Sequence, residues 1–208
     1  ATKSGGTTRR AAKMVCLDLD HPEIMDFIRW KAREEAKAQA LIRAGFSPGM
    51  DGEAYRTVSG QNSNNSVRAT DSFMNAVRAD GPWATKARKT GAVVENLKAR
   101  GVFRAIAESA WVCADPGVQY EDAIQKWHTC ESTGKIRASN PCSEFMFLDD
   151  TACNLESLNL LKFVDHDGTF RIEDFKSAVR TLIEAQELLV DLASYPSEVI
   201  ADRSHRFR

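Results

Sequence analysis

Met14-Val15-Cys16-Leu17-Asp18-Leu19-Asp20-His21-Pro22 is the stretch that decides the fold class. Its first four residues read as a short buried strand and residues 18–21 as a connection. Pro22 suits the first turn of a helix, where its missing N–H costs no hydrogen bond. Behind it, Ile24, Phe27, Ile28, Leu41 and Ile42 fit one face of a helix expected over residues 22–44, and Gly45 stands where a left-handed C-cap belongs. A strand that feeds directly into a long helix is the building unit of an α/β layer.

The alternation continues outward from this unit. Ser47-Pro48-Gly49-Met50-Asp51-Gly52 has turn chemistry and reads as a surface loop. A second helix is expected after Thr70 or Asp71, with Phe73, Met74 and Val77 facing inward, ending at Gly81-Pro82. Another is expected over residues 101–114, where Val102, Phe103, Ile106, Ala110, Trp111 and Cys113 recur at helical intervals until Asp115-Pro116-Gly117 breaks the pattern. Residues 160–164 and 169–172 flank Asp165-His166-Asp167-Gly168 and predict a hairpin; a helix follows over 173–193, and Pro196 starts a shorter one. Strands alternating with helices predict an α/β layout on a largely parallel sheet. The sequence contains no internal repeat and no low-complexity tract.

Composition narrows the function classes. The 208 residues, 43% hydrophobic and 27% charged, supply a core of ordinary size, and one domain is the simpler reading. A net charge of -1 provides no field to gather a phosphate polymer, which argues against a nucleic-acid-binding role. No apolar run approaches the ~20 residues that a spanning helix requires, and no secretory signal is visible, so a cytoplasmic location without membrane association is expected. Five cysteines without CxxC spacing fit reduced thiols rather than a disulfide scaffold or zinc ribbon. His21, His128, His166 and His205 lack ligand spacing, and residues 165–168 lack the ligand pattern of a calcium loop, so no metal site is expected. The missing initiator Met and the two abrupt ends read as a fragment of a longer chain.

Chemistry concentrates at Asn140-Pro141-Cys142-Ser143-Glu144. If this segment is extended, Asn140, Cys142 and Glu144 project from one face and bring an amide, a thiol and a carboxylate to one bound molecule. Taken alone, Cys142 reads more readily as a small buried hydrophobe among loop residues. The polar run Gln61-Asn62-Ser63-Asn64-Asn65-Ser66 reads either as a surface loop or as an approach to a strand near substrate. Ser4-Gly5-Gly6-Thr7-Thr8-Arg9-Arg10 reads as a flexible turn ending in two solvated arginines, and lacks the pattern of a phosphate-binding P-loop.

The pentapeptide at 140–144, followed by Thr151-Ala152-Cys153-Asn154-Leu155-Glu156-Ser157-Leu158-Asn159-Leu160, resembles the catalytic subunit of ribonucleotide reductases. The stretches Ser4 to Lys13, Gly60 to Arg68 and Ala114-Asp115-Pro116-Gly117-Val118-Gln119-Tyr120 extend that resemblance over nearly the whole chain, and their wording is most like the adenosylcobalamin-dependent class. The resemblance implies that residues 1–208 are one fragment of the catalytic barrel domain, an α/β fold forming part of a ten-stranded barrel. It implies a thiyl radical on Cys142, Glu144 as general base, Asn140 positioning the sugar, and Cys153 as one of two reducing cysteines, its partner lying before residue 1. Cys113 and Cys130 match neither role. It makes residues 4–10 a mobile loop between effector and substrate, with Gly5, Gly6 and Thr8 giving it shape and Arg9 or Arg10 reaching a base or phosphate. Asn62, Asn64 and Asn65 become candidate substrate contacts. The implied cofactor is adenosylcobalamin; the implied partners are a ribonucleotide substrate, a dNTP effector, a thioredoxin-type reductant and, as an option, a second copy in a homodimer. The isolated chain is expected to be inactive. Two alternatives stay open: the same reaction with a radical from a separate metal-containing subunit, and a non-catalytic nucleotide-binding regulator on the same scaffold.

Overall fold

The computed structural model describes residues 12–49 and 51–207. Two compact units divide the chain, one ending at Phe147 and one beginning at Leu148.

The first unit is built on a parallel sheet in the order β1 (Lys13–Asp18), β2 (Ser63–Ala69), β5 (Gly117–Tyr120). Parallel neighbours require long crossovers. The first is made by α1 (Ile24–Arg43) and α2 (Glu53–Thr57). The second runs through α3 (Asp71–Arg78), a hairpin of β3 (Pro82–Lys86) with β4 (Val93–Lys98), and α4 (Ala99–Cys113). A short α5 (Glu121–Lys126) follows β5. The expected α/β class with a largely parallel sheet is what forms, and the sheet is open within this chain.

Register assigns the two faces of the sheet. Leu17 pairs with Val67 and Val67 with Val118, so these three point together toward the helices. They join a core of Leu19, Ile24, Ile28, Val67, Ala69, Phe73, Ala99, Val102, Ala105 and Ile106. Phe73 is fully buried and meets Trp83 edge-on at 5.0 Å between ring centres, while the Trp83 indole N–H donates to the Leu19 carbonyl at 2.9 Å. Cys16 with Ser66, and Asp18 with Arg68 and Gln119, occupy the opposite face. That face is polar, and it carries the functional segment.

Local chemistry accounts for the helix ends. Gly45 has φ +99 and lets the chain reverse after α1: its N–H bonds Ile42 O at 2.9 Å and Phe46 N–H bonds Leu41 O at 3.1 Å. These are the paired bonds of a Schellman motif. The Thr70 hydroxyl caps α3 by accepting from Phe73 N–H at 3.2 Å.

The reading of the helix after residue 100 needs correction. Helix α4 begins at Ala99 rather than residue 101, and Trp111, expected inward, is 92% exposed. Val102, Ala105, Ile106 and Ser109 form the buried stripe, and Trp111 falls half a turn away from its centre on a 3.6-residue period. Of the two readings of the polar run at 61–66, the approach to a strand is the one that forms: from Ser63 it is β2, a strand paired on both edges.

The second unit contains a 3-10 turn (Leu160–Phe163), α6 (Ile172–Leu192) and α7 (Glu198–Arg206). The turn expected at 165–168 exists, with Gly168 at φ +86 and its N–H on Asp165 O at 3.0 Å. Its flanks do not form a ladder: a single bridge joins Val164 to Phe170. Phe163, Phe170 and Phe175 instead cluster at 5.5–6.3 Å, two of the three pairs edge to face, and Asn159 Oδ1 caps the helical turn at 160–163 by accepting from Leu161 N–H at 3.1 Å. Ser197 caps α7 by accepting from Ile200 N–H at 3.3 Å, so that helix starts just beyond Pro196. No helix among the described residues is long and apolar enough to cross a membrane.

Candidate active site

The Cys142 segment is a turn, which corrects the expectation of an extended stretch. Ser143 N–H bonds Asn140 O at 3.0 Å, placing Pro141 and Cys142 at the two central positions of a β-turn. Proline favours the first of these because its φ is already set there. Ser143 follows at φ +65, a left-handed conformation that swings the chain back. Ser139 and Met146 then meet in an antiparallel bridge that closes the loop. Alternation by two therefore does not apply, and Cys142 stands exposed at the turn's tip.

Its neighbours are arranged by the same turn. Asn140 Oδ1 accepts from Phe145 N–H at 2.9 Å. A backbone N–H can only donate, so the amide's orientation is fixed and its NH2 group is the end left for another acceptor. Glu144 is exposed beside it. The returning arm is held by ring contacts of Phe145 with Phe147 at 5.6 Å and of Phe147 with His128 at 6.1 Å.

The loop is fastened to the polar face of the sheet. Asn64, at the start of β2, donates through Nδ2 to Pro141 O at 2.7 Å. Gln119 on β5 donates through Nε2 to Ser139 Oγ at 2.8 Å and Ser143 Oγ at 3.3 Å. Its Oε1 accepts from Arg68 Nη1 at 3.2 Å and from the Cys16 thiol at 3.5 Å. Arg68 is 3% exposed; it pairs with Glu121 and donates to Ile136 O at 2.9 Å. Gln125 on α5 donates to that same carbonyl at 2.6 Å and accepts from Ile136 N–H at 3.2 Å. Burial raises the Cys16 thiol above its ordinary range, so it stays a protonated donor at neutral pH.

Asn65 points the other way. It is 2% exposed on the helix-facing side, where its Oδ1 accepts from Ser63 Oγ at 2.8 Å and its N–H donates to Asp115 Oδ2 at 3.2 Å. Burial pushes the Asp115 carboxyl up, offset in part by that N–H. The structure therefore brings Asn64 to the cysteine turn and separates Asn65 from it. Asn62 lies in the turn before β2, its carbonyl accepting from Lys13 N–H at 2.9 Å.

The family model for the ribonucleotide reductase barrel domain matches residues 1–208. The chain belongs to the ribonucleotide reductase family, as part of its barrel domain. It is 55% identical over 99% of its length to a protein of Rhodopirellula baltica named vitamin B12-dependent ribonucleotide reductase, and covers 20% of that relative. A Streptomyces avermitilis protein of the same name is 50% identical over 99% of the chain, with 22% of the relative covered. A Mycobacterium tuberculosis protein named vitamin B12-dependent ribonucleoside-diphosphate reductase is 28% identical over 99% of the chain, which covers 26% of it. The chain thus spans about a fifth to a quarter of the length of these relatives.

Within this reductase barrel segment, Cys153 lies exposed in the second unit, its thiol 3.9 Å from the Asn154 carbonyl oxygen. Gly5, Gly6, Thr8, Arg9 and Arg10 lie outside the described residues. Among the described residues no group of three or more His, Cys, Asp or Glu could hold a metal ion. Sequence reading missed Cys16, Arg68, Gln119, Gln125 and Ser139. Arg68 and Gln119 carried a signal, a polar side chain between less polar strand neighbours, as in Val67-Arg68-Ala69 and Val118-Gln119-Tyr120; Gln125 lies on α5 and Ser139 in the loop, where no strand alternation marks them.

Proposed function

We propose that the full protein reduces ribonucleotides to 2′-deoxyribonucleotides, with Cys142 as the radical-bearing thiol. The observation that carries this reading is an exposed thiol at the tip of a turn anchored on a buried polar network, flanked by an available amide NH2 and an exposed carboxylate. A thiyl radical on Cys142 takes the 3′ hydrogen atom of the ribose, forming S–H and leaving a carbon radical. Glu144 accepts the 3′ hydroxyl proton as the 2′ hydroxyl, protonated by one of the reducing thiols, departs as water, and returns it to the 3′ oxygen when that carbon is reduced; the Asn140 NH2 orients the sugar by donating to it. Two thiols, one of them Cys153, supply two electrons and two protons and end as a disulfide. The 3′ hydrogen then returns to carbon, restoring the radical on Cys142.

The named relatives are vitamin B12-dependent, and adenosylcobalamin is the radical source in this reading. When bound, it supplies one radical equivalent by homolysis of its cobalt–carbon bond. An exposed thiol at a turn tip fits a donor that approaches from outside the loop; no described element presents a set of side chains assignable to the corrin. The dNTP effector, the thioredoxin-type reductant and a homodimeric assembly belong to the proposal for the full-length protein, as does the role of Gly5, Gly6, Thr8, Arg9 and Arg10 in linking effector to substrate.

The test is anaerobic turnover by the full-length protein with a ribonucleotide, a dNTP, a dithiol reductant and adenosylcobalamin. Deoxyribonucleotide and a cob(II)alamin absorbance are expected. Cys142→Ser should abolish product while leaving substrate binding nearly unchanged. Product formed only with a separate metal-containing subunit would move the radical source there. Nucleotide binding with no turnover under any condition would make the protein a regulator.

A further inference from the structure

We propose that Gln119 is a positioning residue for the Cys142 turn: its amide couples the buried Arg68 on β2 to the two serines that bracket the cysteine. This rests on Cys142 being the reactive thiol. The argument begins with the direction of the amide. Arg68 has only donors and stays charged, so the Gln119 oxygen must face it, and the Cys16 thiol donates to the same oxygen. The NH2 end is thereby turned toward the loop, where it donates to Ser139 Oγ at 2.8 Å and Ser143 Oγ at 3.3 Å. Ser139 Oγ in turn donates to Asn140 O at 2.9 Å. Ser143 is the residue at φ +65 next to the cysteine, a conformation that non-glycine residues hold only when their surroundings enforce it.

Gln119 is itself 2% exposed and sits in a strand, so it cannot follow the loop if the loop moves. It reads both ends of the turn from one rigid point. Asn140 O is the acceptor of the turn's own hydrogen bond and Ser143 N–H its donor, so the two serines are fixed where the turn closes. The tip between them carries Cys142. Loss of the amide releases both serines from the sheet while Asn64, on β2, still holds Pro141. The cysteine then samples positions displaced from the sugar, although nothing that touches substrate has been removed.

The experiment uses the full-length protein with Gln119→Leu, close in shape but without polar atoms, and Gln119→Glu, which can keep Arg68 and accept from serine hydroxyls. Q119L is expected to lower kcat by about 10²-fold, the scale of an ~1 Å misplacement of a reacting group, with KM changed less than about threefold. Q119E is expected to recover part of the loss. In the apo protein, alkylation of Cys142 should accelerate several-fold in Q119L, and amide exchange should rise at residues 140–146 and not in α1. Unchanged kcat and unchanged alkylation in folded Q119L would overturn the proposal. So would a raised KM at constant kcat, which marks a substrate contact. If Q119L does not fold, Ser139→Ala and Ser143→Ala replace it: faster alkylation with lower kcat supports the link, and wild-type behaviour in both refutes it. Full turnover by Cys142→Ser would instead overturn the functional reading, leaving the alkylation result as the measure of Gln119.

Discussion

Replacing Arg68 by Met removes the residue on which the loop's anchorage converges. Its side chain is 3% exposed and its partner Glu121 is 23% exposed. Breaking a fully buried ion pair by deleting one member costs about 3–5 kcal/mol. Here the loss is smaller, because Glu121 retains contact with water, Ile136 O keeps its bond from Gln125, and Gln119 Oε1 keeps the Cys16 thiol. What is lost is the charge opposite a partly buried carboxylate, which keeps a bond from Gln125 Nε2 at 3.0 Å, and part of the support for two carbonyl-type acceptors, together worth about 2–4 kcal/mol. Amide exchange in the full-length protein reads this locally: at one decade per 1.4 kcal/mol, exchange at residues 136–146 should accelerate roughly 30- to 1,000-fold. Arg68→Lys keeps the charge but loses the fork, and should fall between. Exchange at 136–146 that stays at the wild-type rate in folded Arg68→Met would refute the view that the sheet's polar face holds the loop.

Phe73→Ala should cost about 3–5 kcal/mol, since the ring is fully buried against Trp83; loss of protection across α3 and α4 by amide exchange is the check. Asp115 gives a pH dependence. Its folded carboxyl is raised by burial, so its penalty is absent below the ordinary carboxylate range and grows as pH climbs through the raised value. Asp115→Asn removes that penalty while an amide oxygen can still accept from Asn65 N–H. Its stability relative to wild type should therefore improve as pH rises from below the ordinary carboxylate range to neutral, and a difference constant over that span would show that the Asp115 carboxyl titrates alike in the folded and unfolded chain.

The crossover helices were legible because their apolar residues recur at 3.6 and their ends carry explicit signals: Thr70 before α3, Gly45 after α1. The family was legible in the 140–144 and 151–160 stretches. The central strand β2 was not, because Ser63-Asn64-Asn65-Ser66 carries polar residues on both faces. One face turns to a loop rich in acceptors, and on the other the Asn65 side chain accepts from Ser63 Oγ while its Nδ2 is buried without a partner. A period-two apolar pattern is absent where polar side chains fill both faces of a strand. The shape of the cysteine segment differs from the extended stretch that spacing by two suggests, because Asn140 O and Ser143 N–H close a turn around Pro141 and Cys142. Trp111 followed helical spacing loosely enough to be counted with a face it does not share.

The central claim is that the reactive electron resides on the sulfur of Cys142. Full-length protein mixed anaerobically with adenosylcobalamin and a dNTP, then frozen within milliseconds, tests it by electron paramagnetic resonance. A sulfur-centred signal whose splitting narrows when cysteine is deuterated at Cβ, and which vanishes in Cys142→Ser, is the predicted result. The same signal persisting in Cys142→Ser would contradict the account.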